Sequence, residues 1–361
     1  MDEELFHKLF EQGFISDKPS EMWLPMNTKD RMWQNYYSGR DGTTMHLDGG
    51  WMINPDTYEL KQLEGYDNEI DTVGDNLKEN RLSDEPGNLE QKFYSLQDAL
   101  DSDEYKNAEG SLLFPVGKDE SGKFAIADLH KLPHIMAGGQ TGSGKSNFTE
   151  GTLILSLIKR YSSDDLRLLL IDPKCVQFTQ YNSIPHLLRP VITTPEDSKA
   201  AMDWLLNEME NRFTAFVDSK TKNIVEYNSS GKGHMPFIVL IIDEVADLMM
   251  VDDEYYQKSF IKLLQKSAAV GIHIYIGTSR PSEDVLPSLL RANFVAKIAF
   301  KTASKVDSEA LIDVSGAEKL QGRGDLLFCS LDSPHPVHLQ APYVSDKESA
   351  SVAESLKTDS M

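Results

Sequence analysis

The stretch His134-Ile-Met-Ala-Gly-Gly-Gln-Thr-Gly-Ser-Gly-Lys-Ser146 decides the fold. A short apolar run enters Gly139-Gln140-Thr141-Gly142-Ser143-Gly144-Lys145-Ser146, which fits G-x-x-x-x-G-K-[ST] at every position. An amphipathic stretch over 145–160 follows. A strand, a glycine-rich loop and a helix in that order form the context in which this motif cradles phosphates. The glycines let backbone N–H groups turn toward a polyphosphate, and the start of the helix adds positive dipole. The eight residues from Gly139 to Ser146 are therefore the expected ATP-binding set. Lys145 is expected at the β- and γ-phosphates, and the Ser146 hydroxyl on Mg2+.

About a hundred residues downstream, Phe237-Ile-Val-Leu-Ile-Ile-Asp243-Glu244 supplies the matching element. A buried strand delivers two acids at its C-terminal end, where ligands bind in parallel sheets. Asp243 is expected to join Ser146 around the metal, and Glu244 to orient or deprotonate an attacking water. Lys145, Asp243 and Glu244 are thus the candidate catalytic residues. Adjacent Asp and Glu at this place point to hydrolysis more than to phosphoryl transfer onto a small molecule.

Around these motifs, apolar runs alternate with amphipathic stretches. Strands are expected over 134–137, 167–171, 237–242, 272–277 and 295–300. Helices are expected over 145–160, 195–216, 254–269, 283–290 and 305–314. Fully apolar strands alternating with helices predict an α/β fold with a mostly parallel sheet covered on both faces. Two late runs, 325–329 and 337–341, read as edge strands. The α/β domain is therefore placed at 110–345, with a polar C-terminal tail over 346–361. Residues 1–63 hold three of the four tryptophans, Trp23, Trp33 and Trp51, and read as a small, irregular N-terminal region. Residues 64–109 read as an acidic linker, with a short helix over 88–100 where Leu89, Phe93, Leu96 and Leu100 recur at helical spacing.

The 361-residue chain carries a formal charge of -21, and residues 1–100 contribute 9 Lys/Arg against 21 Asp/Glu, or -12. No global basic field is available to attract nucleic acid, so phosphate contacts must come from a few local cations. Cys175 and Cys329 stand far apart with no metal-ligand spacing, which points to a reducing, cytoplasmic setting. The acidic N-terminus does not read as a signal peptide, and no apolar run approaches the ~20 residues of a membrane span. His134, His186 and His273 read as packed side chains. Asp172 and Lys174 lie near the expected nucleotide without an assigned role. Lys220, Lys222 and Lys232 read as loop charges.

Seven segments, in order, resemble the motor domain of the FtsK/SpoIIIE DNA translocases. They are Ala127-Asp-Leu-His-Lys-Leu-Pro-His-Ile-Met-Ala-Gly138, Leu170-Ile-Asp-Pro-Lys174, Ile184-Pro-His-Leu-Leu188, Asp243-Glu-Val-Ala-Asp-Leu-Met-Met250, Gly271-Ile-His273, Thr278-Ser-Arg-Pro-Ser282 and Gly322-Arg-Gly-Asp-Leu-Leu327. The resemblance runs from about Gly110 to about Val344. It implies a RecA-like P-loop NTPase assembled as a hexameric ring, with ATP between subunits and loops that move double-stranded DNA through a pore. Carried over, the DNA-binding cations are Arg280, Arg291 and Lys305.

Departures are informative. Ala268 stands where the family's arginine finger is expected, leaving Lys266, Arg280 and Arg323 as the nearest substitutes. Ser279 replaces a glutamine that senses the γ-phosphate, and Glu309 replaces a pore-loop arginine. The few residues after Val344 leave no room for the family's DNA-reading winged helix, so a shortened, soluble form is expected. Against the translocase reading stand a protein-export ATPase, which the acidic charge favours, and a slow nucleotide-binding subunit, which Ala268 and Ser279 favour.

Overall fold

The computed structural model describes residues 93–358 except 284, 332 and 334, together with three short strands upstream. The chain divides into two compact units, residues 1–81 and 82–361. In the first, β1 (Leu24–Pro25), β2 (Trp51–Ile53) and β3 (Leu60–Gln62) form an antiparallel sheet in that order. The rest of the expected 1–63 region, the linker up to residue 92 and the last three residues of the tail lie outside the described residues.

The second unit is built on a nine-stranded sheet. Its strands are β4 (Leu113–Lys118), β5 (Phe124–Asp128), β6 (His134–Gly138), β7 (Leu166–Ile171), β8 (Phe237–Ile242), β9 (Ile272–Thr278), β10 (Ala296–Phe300), β11 (Asp325–Cys329) and β12 (Val337–Gln340). The spatial order is β5-β4-β12-β11-β10-β6-β9-β8-β7. Five neighbours, β10-β6-β9-β8-β7, run parallel, and β11, β12, β4 and β5 extend the sheet antiparallel. The mostly parallel expectation therefore holds for the half that carries the P-loop, and the other half corrects it.

β11 and β12 are interior and not edge strands, because β4 and β5 pair beyond them. That hairpin is hard to read in the sequence. Pro115 has no N–H to give, and the register slips between Pro115 and Gly117, the kind of bulge at which a sheet accommodates proline.

The alternating side chains of β8 explain the layering. Ile238, Leu240 and Ile242 face one apolar cluster, while Val239 and Ile241 face the other. Burial of each such side chain contributes ~1.5–3 kcal/mol, so β8 fixes both layers at once. The helices are α1 (Leu96–Asp101), α2 (Asp103–Lys106), α3 (residues 145–160, π-helical over Phe148–Ile154), α4 (Pro195–Ser219), α5 (Ile224–Ser229), α6 (Val245–Lys266), α7 (Ser288–Arg291), α8 (Lys305–Ile312) and α9 (Asp346–Thr358). Leu205, Met209, Phe260 and Leu263 from α4 and α6 fill the first cluster. Phe148, Ile154 and Leu157 from α3 fill the second.

Four expectations are corrected by packing and capping. The segment read as the end of an acidic linker carries α1 and α2, whose Leu96, Ala99 and Tyr105 are buried. Ser95 and Asp98 form a reciprocal capping box that starts α1, so its polar look is an N-terminal signal. The polar tail is α9, seated through Val352, Ala353 and Leu356 on the second cluster. α6 begins at Val245 and kinks at Asp252, whose Oδ1 accepts from the Tyr255 N–H and recaps the second half. The helix expected over 283–290 shrinks to Ser288–Arg291, because Pro287 is its N-cap, with an extended ψ of 147°.

His134 and His273 are buried at the start of β6 and β9, the sheet end opposite the P-loop, with His130 and Phe237 against the His273 ring. Burial holds His134 down at about 4, and burial with the neighbouring His134 and His130 holds His273 well below the usual imidazole range. Both must be neutral in the folded state, so their contribution is complete above the unfolded value of about 6.5 and is lost as pH falls below it. Urea unfolding should therefore show stability declining between about pH 6.5 and 4. His134 alone accounts for roughly 3 kcal/mol at about 1.36 kcal/mol per pH unit, and His134→Leu should flatten the slope.

Candidate functional site

The C-terminal ends of β6, β8 and β9 open onto a cleft of about 710 Å³. Every expected P-loop residue except Ser143 lines it, as do Lys174, Asp243, Glu244, Ser279 and Arg323. Ser143 is buried beneath the loop with an unpartnered hydroxyl. The loop is anchored at its entry: the Gly139 N–H donates to Thr278 O (3.1 Å) and the Gln140 N–H to Lys301 O (2.8 Å). By contrast, the N–H groups of Gly142, Gly144, Lys145 and Ser146 donate to no other backbone group among the described residues. A row of free donors at a helix start, over a buried hydroxyl, is a fitting cradle for phosphate oxygens.

From behind, a brace fixes the loop. Gly322, Arg323 and Gly324 all have positive φ, at 90, 55 and 93°. This turn brings the Gly324 N–H onto Ser143 O at 2.8 Å. Gln340 Nε2 donates to Arg323 O (3.0 Å), and Asp325 accepts from the Gln321 N–H (2.7 Å) and pairs with His338 (2.6 Å). Gly144, at φ 103°, lies so close that a Cβ there would stand 2.2 Å from Gly324 N.

Inside the cleft, Lys145 Nζ donates to Asp243 O (3.0 Å) and lies 3.4 Å from Asp243 Oδ1. Both side chains are 8% exposed. The approach requires Gly277, where a Cβ would stand 2.3 Å from Asp243 O and 3.2 Å from Lys145 Nζ. Burial pushes the Asp243 carboxyl up and Lys145 pulls it back, while Asp172 and Glu244 add to the rise. Glu244 is buried too. Its Oε2 accepts from the Ser279 N–H (2.8 Å) and hydroxyl (2.5 Å), with Lys174 Nζ at 3.7 Å. One turn into α3, burial pushes the Glu150 carboxyl up to about 7, and Gln180 bonds it from beside the cleft.

Three of these roles were not assigned from sequence. Asp172 organises the loop after β7, accepting from the Gln177 and Phe178 N–H groups (2.8 and 3.0 Å). Lys174 bridges Glu244 and Asp247. Ser279, read as the loss of a sensor, holds Glu244. The signal for Asp172 and Lys174 was their place after an apolar strand; nothing in the sequence marks the Ser279 contact.

The sequence-predicted DNA-binding cations separate. Arg280 directly follows Ser279 and is exposed. Lys305 begins α8, also exposed, with Glu309 at 3.6 Å. Arg291 is 13% exposed and engaged within its own loop, donating to Leu286 O (2.9 Å) and pairing with Glu283 (2.6 Å). Ala268 lies in a turn before β9, at the sheet end away from the cleft, and Lys266 is beside it. Of the three substitutes for a finger, only Arg323 lines the chain's own nucleotide cleft.

The FtsK/SpoIIIE family pattern matches residues 95–235. The DNA translocase FtsK of Clostridium tetani is 42% identical over 267 residues, 73% of this chain and 36% of that protein. The chain spans about a third of the length of the curated relatives it matches. Among solved structures, the pCW3 conjugation coupling protein TcpA, in a monomer form with ATPγS, is similar with a TM-score of 0.62 at 27% identity, covering 72% of this chain and 73% of that one. The cytoplasmic domain of the type VII secretion ATPase EccC of Thermomonospora curvata shares the fold, with a TM-score of 0.60 at 23% identity over 68% of this chain and 31% of that one.

Gly144→Ala should abolish nucleotide binding, measured by calorimetry, because the added methyl group displaces either the P-loop or its Gly324 brace. The strained φ should also lower stability by roughly 1–3 kcal/mol in urea unfolding.

Proposed function

The chain belongs to the FtsK/SpoIIIE family, and on that premise we propose that it hydrolyses ATP to move double-stranded DNA. The observation that carries this reading is the arrangement of Lys145, Asp243 and Glu244 in one buried cleft, with Glu244 held by Ser279 and the exposed Arg280 next in the chain.

In the proposed reaction, the free N–H groups of the P-loop take the phosphates and the Lys145 ammonium leaves Asp243 for the β- and γ-phosphate oxygens. Ser146 and Asp243 would hold Mg2+. Two protein ligands suit this ion, which keeps several waters and binds phosphate oxygens; bound there, it supplies charge neutralisation. Glu244 takes a proton from water as the water oxygen bonds to the γ-phosphorus and the bridging P–O bond to ADP breaks, giving ADP and phosphate. Lys174 and Arg323 add positive charge from the same chain, which fits the alanine at the finger position.

The track is assigned to duplex DNA through family membership and the exposed Arg280 and Lys305. Phosphate contacts carry no sequence information, which suits a motor that repeats one step along any sequence. A ring of six copies, a pore and a cytoplasmic setting belong to the same proposal. No helix among the described residues is long and apolar enough to cross a membrane. Arg291 is better placed as an internal brace of the 283–291 loop than as a DNA contact. Its engagement, with the Lys305–Glu309 pair, leaves Arg280 alone of the three expected DNA contacts without an ion pair among the described residues, and favours a protein-export ATPase as the second reading.

Duplex DNA should stimulate ATP hydrolysis at low salt, and the stimulation should fall steeply as salt rises; none at low salt excludes the translocase. Lys145→Ala and Glu244→Gln should each lower turnover by about 100-fold or more, and Arg280→Ala should lose stimulation while keeping the DNA-free rate. Arg291→Ala should instead cost roughly 1 kcal/mol of stability, chiefly because it leaves the Leu286 carbonyl without its charged donor, while the exposed Glu283 turns to solvent.

A further inference from the structure

Two aromatic side chains, Phe93 and Tyr343, are among those lining the nucleotide cleft. Phe93 and Tyr343 are 53 and 54% exposed, with ring centroids 6.4 Å apart at 72°. Scattered exposed apolar residues are ordinary on a protein surface. These two meet at the mouth of a phosphate cradle, from segments 250 positions apart in the chain.

Their placement is fixed to the P-loop helix. Asn147, next after the motif's Ser146, donates through Nδ2 to Val344 O (2.6 Å) and accepts the Val344 N–H on Oδ1 (3.2 Å). The Tyr343 N–H donates to Tyr94 O (2.6 Å). Thr152 Oγ1, on α3, donates to Pro342 O (3.2 Å). Both aromatic segments are therefore registered to the helix whose start holds the phosphates.

The direction of a bound nucleotide follows from the cleft's polarity. Asp243, Glu244, Lys174 and Ser279 mark the γ-phosphate end. The α-phosphate must lie further along the loop toward Ser146 and Asn147, and the ribose and base beyond it, at Pro342, Tyr343 and Phe93. We propose that Phe93 and Tyr343 form the platform on which the purine of the nucleotide stacks, an inference that rests on the ATP reading of the P-loop. With the rings at 72° to one another, a flat base stacked on the face of one ring meets the other at its edge. An aromatic platform reads the π-face and not the hydrogen-bonding edge of a base, so this subsite takes purine nucleoside triphosphates with little choice between them. It also assigns a binding role to the segment just before α1.

The test is calorimetric titration of the full chain with ATP, GTP and inorganic triphosphate, comparing the unaltered protein with Phe93→Ala, Tyr343→Ala and Tyr343→Phe. The two alanine variants should each bind ATP about 5- to 100-fold more weakly with triphosphate affinity unchanged. Tyr343→Phe should bind ATP normally, and GTP should match ATP within a few-fold. Equal losses for ATP and triphosphate, ATP binding unchanged in both alanine variants, or strong discrimination between ATP and GTP overturns the platform. If the unaltered chain binds ATP but neither alanine variant changes it, the P-loop reading stands and only the platform fails. If the unaltered chain does not bind even triphosphate, the nucleotide reading itself falls.

Discussion

A buried ammonium resting on a buried carboxylate governs this structure. Removing Lys145 and Asp243 from water is costly, and their mutual attraction recovers that cost only in part. Among the described residues nothing gives Lys145 a better partner: its donors reach the Asp243 carbonyl and carboxylate, and Gly277 has been left without a side chain to allow it. Such a pair favours whatever brings a second negative charge within reach of the ammonium. A polyphosphate meets that requirement, and its arrival would free the Asp243 carboxylate for the proposed cation.

The two halves of the sheet divide the labour. The parallel half places the P-loop, Asp243 and Glu244 at the ends of β6, β8 and β9, and the antiparallel half confines them. β11 and β12 carry the turn that braces Ser143 and the segment that presents Tyr343, and their contacts reach the P-loop through Gly324 and Asn147. The loop is thus pinned by parts of the chain nearly two hundred residues away from it. A flexible glycine-rich segment with free donors would otherwise sample many shapes, so this confinement is what makes the cradle preorganised.

Much of this was legible in the sequence, for physical reasons that also explain what was not. A strand buried on both faces must be apolar throughout, so β6, β8 and β9 and the acids after β8 announced themselves. β4 was hidden by Pro115 and its bulge, and the neighbouring β5 went unread with it. α1 was caught in part by the helical spacing of Leu96 and Leu100, while α2 and α9 were hidden because a short helix that buries one narrow stripe shows mostly polar residues. Arg280, Arg291 and Lys305 look alike as letters, yet Arg291 is spent inside its own loop, a distinction that depends on the carbonyl of Leu286 and the carboxylate of Glu283 meeting one guanidinium. Ser279 shows the same limit in reverse: a residue read as a lost sensor turns out to grip Glu244 with two donors at once.

The link between Ser279 and Arg280 is one peptide unit, with consecutive Cα atoms about 3.8 Å apart. There is no lever arm between the group that holds Glu244 and the cation that faces outward. On the proposed track, such a linkage has a gear ratio near one: a tug on the cation is a tug on the glutamate's clasp. In the proposed motor, resistance would register in the chemistry first, slowing its burn under load where a long-levered machine would bend.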